Sequence, residues 1–111
     1  MTTSNQLVLT SVANVPADDV IAIRIEGHDL AVYNVDGTFY VSDDRCNHGN
    51  AKLSEGFLDG DVIECPLHGG CFKVTNGEPC ASPVTQPMKM YSVKVEGGEI
   101  ILTDPSELDA S

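Results

Sequence analysis

DVIAIRIEGHDLAVYNVDGTFYVS, residues 19–42, is the stretch on which the fold class turns. Its opening, Asp19–Ile25, is rich in β-branched side chains, which suit a pleated strand. Glu26-Gly27-His28 then reads as a turn, residues 29–35 alternate between apolar and polar, Asp36-Gly37 marks a tight hairpin, and residues 38–42 resume the strand. Outward toward the C-terminus, residues 91–96 alternate again, Gly97-Gly98 turns, and residues 99–103 return as a last hairpin. No window of helical length sustains a 3.6-residue period, and Gly and Pro recur too often to allow one. The expected fold class is all-β.

Between these strand-forming parts, residues 43–83 are richer in Cys, His, Gly, Asn and Pro and poorer in alternation. Forty loop-rich residues inside a compact domain require something other than an apolar core to order them, and a metal centre would do so. The chain has 111 residues, 41% of them hydrophobic, enough for one modest core, so residues 1–111 are expected to form a single domain. The last residues, 104–111, are polar and acidic and are expected to fray.

Seventeen acidic residues against six basic ones give a formal net charge of −11, which repels nucleic-acid phosphates and anionic membrane surfaces. Partners with basic surfaces follow; the blander reading is that the charge only keeps the protein soluble. The start, MTTSNQLVLTSVANVPADD, has no basic region and only a three-residue apolar run at 7–9, so no signal peptide is expected. No stretch reaches membrane-spanning length, and a cytoplasmic location is expected. Four cysteines in that setting point to metal binding or free thiols rather than a disulfide framework.

Cys46-Asn47-His48 is followed, after sixteen residues, by Cys65-Pro66-Leu67-His68. Two thiolates and two imidazoles make a four-coordinate set that either tetrahedral zinc or a [2Fe-2S] cluster with Cys₂ on one iron and His₂ on the other would accept. Zinc fingers usually draw both cysteines from one loop and both histidines from another element, whereas here each segment offers one of each. Such pairs can present both thiolates at one depth and both imidazoles at another, which suits an inner and an outer iron.

This pattern, CxH, sixteen residues, CxxH, with CPLHGG as the second box, resembles the Rieske [2Fe-2S] signature. The resemblance covers nearly the whole chain and is closest to the ferredoxin component of bacterial aromatic-ring-hydroxylating dioxygenase systems of the biphenyl and naphthalene type. It implies an antiparallel β-sandwich with a loop-rich cluster-binding subdomain at about 43–83. It also implies one [2Fe-2S] cluster per chain, with Cys46 and Cys65 on the buried iron and His48 and His68 on the iron near the surface. The function implied is that of a one-electron carrier without catalytic residues. A flavin-dependent ferredoxin reductase would be the donor, the Rieske domain of a terminal oxygenase the acceptor, and the carrier a monomer. Two alternatives stay open: a small subunit of another redox enzyme, of the nitrite-reductase type, and a structural zinc-binding interaction module.

High-potential members of the family carry an extra cysteine on each cluster loop, joined as a disulfide; the matching positions here are Ala51 and Leu67. The same branch places a Ser and a Tyr hydroxyl near the cluster sulfurs, where this chain has Gly70 and Phe72. The resemblance therefore implies a low potential. Oxygenase subunits need a further iron on two histidines and a carboxylate, which His28, the remaining histidine, cannot supply; it reads as a solvated turn residue. Cys71 and Cys80 match no ligand position and are expected as reduced structural thiols, with a disulfide between them the lesser alternative. Gly49, Gly69 and Gly70 border the ligands, where a missing Cβ lets backbone approach a cluster. Tyr33, Phe39, Tyr40, Phe57, Phe72 and Tyr91 read as core, and Asp43, Asp44, Asp59 and Asp61 as solvated loop residues.

Overall fold

The structure, a computed structural model, describes residues 6–45, 51–66, 70–81 and 87–109. Among these there is no α-helix, and the eleven strands pair antiparallel in three sheets, so the fold is all-β as expected. The 19–42 stretch forms β2 (Asp19–Ile25), β3 (His28–Val35) and β4 (Thr38–Asp43), joined by two-residue turns. Asp36 and Gly37 have φ of 52° and 85°, the left-handed pair whose twist matches the flanking strands. β9 (Met90–Tyr91) completes this sheet in the order β2-β3-β4-β9.

β3 is the strand about which the molecule is layered. Leu30, Ala31, Val32, Tyr33 and Asn34 are all buried, in contrast to the alternation expected for residues 29–35. Side chains on a strand alternate faces, so a run buried throughout means that both faces are covered. Leu30 and Val32 join one core with Val15, Val41, Tyr91, Ile100, Leu102 and Leu108. Ala31 and Tyr33 join the other, with Leu53, Ile63, Cys65, Phe72 and Met88.

The first core is closed by a sheet of β1 (Leu7–Ser11), β10 (Val93–Glu96) and β11 (Glu99–Leu102), in the order β1-β11-β10. The apolar run at 7–9 is thus an outer strand pairing Leu7 with Leu102. The described part of the tail is not frayed, against expectation: residues Pro105–Asp109 form a 3-10 turn that buries Leu108. The Glu107 carboxylate accepts from the Ser92 N–H at 2.8 Å and its hydroxyl at 3.1 Å, and Lys89 Nζ donates to the Glu107 carbonyl. One buried leucine and these three bonds hold the segment.

The second core is closed by a small sheet within the stretch expected to be mainly loops. Its strands are β5 (Phe57–Asp59), β6 (Val62–Glu64), β7 (Cys71–Lys73) and β8 (Pro79–Ala81), in that order. Leu58, Ile63 and Phe72 face inward, so the alternate residues face out; Phe57 is 70% exposed and is not a core residue. Tyr33, Phe72 and Tyr91 are buried as expected, whereas Phe39 and Tyr40 are half-buried. Phe72→Ala is expected to cost about 3–5 kcal/mol in urea unfolding, against roughly 0.5 kcal/mol or less for Phe57→Ala. Equal losses at the two positions would contradict this orientation of the small sheet.

Candidate metal centre

The described residues that flank each cysteine-histidine segment are held together by backbone pairing. Arg45 pairs with Lys52 across an isolated bridge, and the Leu53 N–H donates to the Asp44 carbonyl at 2.6 Å, which closes the first base. The second base is the bond from the Cys65 N–H to the Gly70 carbonyl at 2.7 Å, just beyond the paired strands β6 and β7. Cys46, His48 and His68 lie outside the described residues, as do Gly49, Leu67, Gly69 and Pro83, so of the four expected ligands only Cys65 can be placed.

Cys65 stands directly after β6, is 1% exposed, and carries a thiol free of any disulfide. It belongs to the apolar core with Leu53, Ile63 and Phe72, with half-buried Ala51 packed against it. A soft sulfur donor on a dry wall fits a ligand to an inner iron, since thiolates favour iron-sulfur clusters and an apolar shell limits solvent access. Gly70, across the closing bond, is buried, and the Phe72 ring lies wholly in the core. Neither position carries a hydroxyl.

Several polar residues differ from expectation. Asp44 is 1% exposed rather than solvated: its carboxylate accepts from the Ser54 N–H at 2.7 Å and the Ser54 hydroxyl at 2.9 Å, and its own N–H donates to the Asp29 carbonyl at 3.0 Å. Asp43 ends β4 half-buried and accepts from the Tyr91 hydroxyl at 2.5 Å. Asp59 is exposed on β5, and Asp61, half-buried, receives the Val74 N–H on its carbonyl at 2.8 Å. His28 is half-buried at the first position of β3. Tyr33 and Ser42, both buried, share a hydroxyl–hydroxyl bond of 2.8 Å. Burial pushes the Tyr33 pKa up; the Ser42 bond opposes this, and nearby Asp44 and Asp43 add to it.

Cys71 and Cys80 are not reduced thiols: their sulfurs are bonded, with Cα atoms 5.4 Å apart. β7 pairs Cys71 with Ala81, and a register shift beside it brings Cys80 within reach. The disulfide involves neither of the expected cysteine ligands.

A buried free cysteine at the second closed base, set on an antiparallel sheet frame, fits a metal-binding β domain, and the chain belongs to the Rieske [2Fe-2S] domain family, whose pattern matches residues 5–96. A [2Fe-2S] cluster is therefore its cofactor, which sets aside the zinc module. Among named relatives, the chain is 47% identical over 88 residues to the ferredoxin component of the naphthalene 1,2-dioxygenase system of Pseudomonas aeruginosa, covering 79% of this chain and 85% of that one. The ferredoxin of Sphingomonas yanoikuyae is 44% identical and superposes with a TM-score of 0.86, over 91% of this chain and 100% of that one. A chain in the complex of reduced oxygenase and oxidised ferredoxin of carbazole 1,9a-dioxygenase is 41% identical, with a TM-score of 0.82 over 91% and 94%. Among the described residues no helix is long and apolar enough to cross a membrane.

Proposed function

We propose that this protein is a soluble, cytoplasmic one-electron carrier, passing electrons from a flavin-dependent ferredoxin reductase to the Rieske domain of the terminal oxygenase in an aromatic-ring dioxygenase system. It acts as an electron-transfer component without catalytic residues of its own. The observation that carries this reading is the free, buried Cys65 thiol beside the second closed base, in a chain so similar to ferredoxin components. Residues 1–111 act as one Rieske domain and a monomer, with the cluster-binding part at about 43–83. Cys46, His48, Cys65 and His68 hold one cluster per chain.

When bound, a [2Fe-2S] cluster supplies reversible one-electron chemistry. The chain's own residues set where and at what potential. Cys46 and Cys65 would contribute two thiolate charges to the cluster, and His48 and His68 would contribute two neutral imidazoles. Two thiolates leave less negative charge than four, which raises the potential relative to an all-cysteine site. Gly70 and Phe72 offer no hydroxyl to the sulfurs, which keeps it low within the family.

The midpoint potential is expected at the low end of about −150 to +300 mV. It should vary little between about pH 6 and pH 8, because a low-potential centre leaves the oxidised-state imidazoles holding their protons more tightly. Voltammetry measures both, and Gly70→Ser, if its hydroxyl reaches a sulfur, should raise the value. A slope of one proton per electron at neutral pH would contradict this assignment. The function itself is tested by reconstitution: the prereduced protein should reduce a terminal oxygenase of such a system, and failure to do so in either redox direction would overturn it.

A further inference from the structure

Sixteen residues separate the two ligand segments, and contacts of the described part run from the base before the first segment to the residue before Cys65. Asp44, two residues before Cys46, grips Ser54 through both carboxylate oxygens, at 2.7 and 2.9 Å, and Leu53 through its carbonyl at 2.6 Å. Leu53–Glu55 form a 3-10 turn that the Gly56 N–H closes on the Leu53 carbonyl at 2.9 Å. Leu53 itself is fully buried in the core that contains Cys65. Gly56 then lies against the residue before Cys65: a Cβ there would sit 2.0 Å from the Glu64 carbonyl oxygen and 3.1 Å from its carbon. Its φ of −88° is open to any residue, so close backbone approach, and not torsion, requires glycine.

We propose that Asp44, Ser54 and Gly56 are positioning residues that form a spacer between the two ligand segments and thereby set the geometry of the cluster. Asp44 keys one end, beside Cys46, and Gly56 the other, beside Cys65, with the buried Leu53 turn as the rigid piece between them. This rests on the cluster reading above. A carboxylate with both oxygens bonded inside the fold has one geometry available to it, and losing one partner leaves a buried acceptor unsatisfied. Motion of the turn would therefore reach the ligand segments, because both of its ends are attached next to them.

The test uses the holoprotein. Ser54→Ala, which removes the hydroxyl donor and keeps the N–H, and Asp44→Asn, which opposes an amide to the same donors, are expected to bind the cluster. Both should change the electron paramagnetic resonance spectrum of the reduced cluster. Iron release to a chelator should accelerate about tenfold, or about 1.4 kcal/mol. Ser54→Thr, which keeps a hydroxyl, should restore both readouts, and Gly56→Ala should shift the spectrum further than Ser54→Ala. Wild-type spectrum and release rate in Ser54→Ala and Asp44→Asn, with only the melting temperature lowered, would show that the network serves the fold alone and overturn the proposal. A wild-type protein that binds no cluster would overturn the cluster reading and this proposal with it.

Discussion

Cys65→Ala is expected to yield a colourless protein with neither iron nor acid-labile sulfide, where the wild-type protein is expected to be red-brown with two of each per chain. The thiol has no other partner within the described fold, and alanine in its place is small and apolar, so the apolar wall loses little besides the sulfur. A cluster held by four side chains does not survive loss of an inner ligand, since the vacated position on iron opens to water or exogenous thiol. Because ligand binding is linked to folding, the same change should also lower stability and loosen residues 43–83, whose described part is held by three-residue strands and the two closed bases. The contrasting variant is Cys71→Ser with Cys80→Ser, which breaks the β7–β8 disulfide and should keep the cluster. Absorbance, iron and sulfide assays of the freshly expressed proteins decide the matter. A normal cluster spectrum in Cys65→Ala, or stoichiometric zinc without labile sulfide in the wild type, would remove the ligand assignment.

The contrast between Cys65 and the disulfide pair shows where the sequence was readable. The hairpins at 19–42 and 93–102 declare themselves locally, through β-branched runs and left-handed turn dipeptides, and they appear within a residue or two of their expected limits. Strands β5 to β8 have three residues each, too few to show a period, so the small sheet was hidden in a composition that reads as loop. The Cys71–Cys80 bond depends on the register of β7 against β8, a tertiary fact with no local sign. Asp44 is the sharper case. An aspartate in a polar run before a ligand reads as solvated, and only Ser54, ten residues on, supplies the donors that make its burial tolerable. The four expected ligands stand out in the sequence because their residue types and spacing carry the chemistry directly; the structure adds the buried setting of Cys65, with the other three outside the described residues.

Electron delivery to the oxygenase should slow as salt is added. The formal net charge of −11 is large for 111 residues, and near the site Glu55 and Glu64 are exposed on the side of the second ligand segment. Arg45 and Lys52, exposed at the base of the first segment, offset part of this locally, so the attraction to a basic partner acts mainly through the field of the whole molecule. Such a field is screened over a Debye length that shrinks from about 30 Å at 0.01 M salt to about 3 Å at 1 M. Steering of this kind raises association rates by about 10- to 1,000-fold, and screening should remove at least about a tenfold share of it. A carrier must also let go of each partner, so the contact should be small, about 1,200 Å² or less, which leaves the encounter dependent on steering and not on a large apolar interface. Stopped-flow reduction of the oxygenase by the prereduced protein across a salt series measures the second-order rate directly. A rate that stays flat or climbs with salt would show that the acidity serves solubility and that apolar contacts around the cluster govern docking.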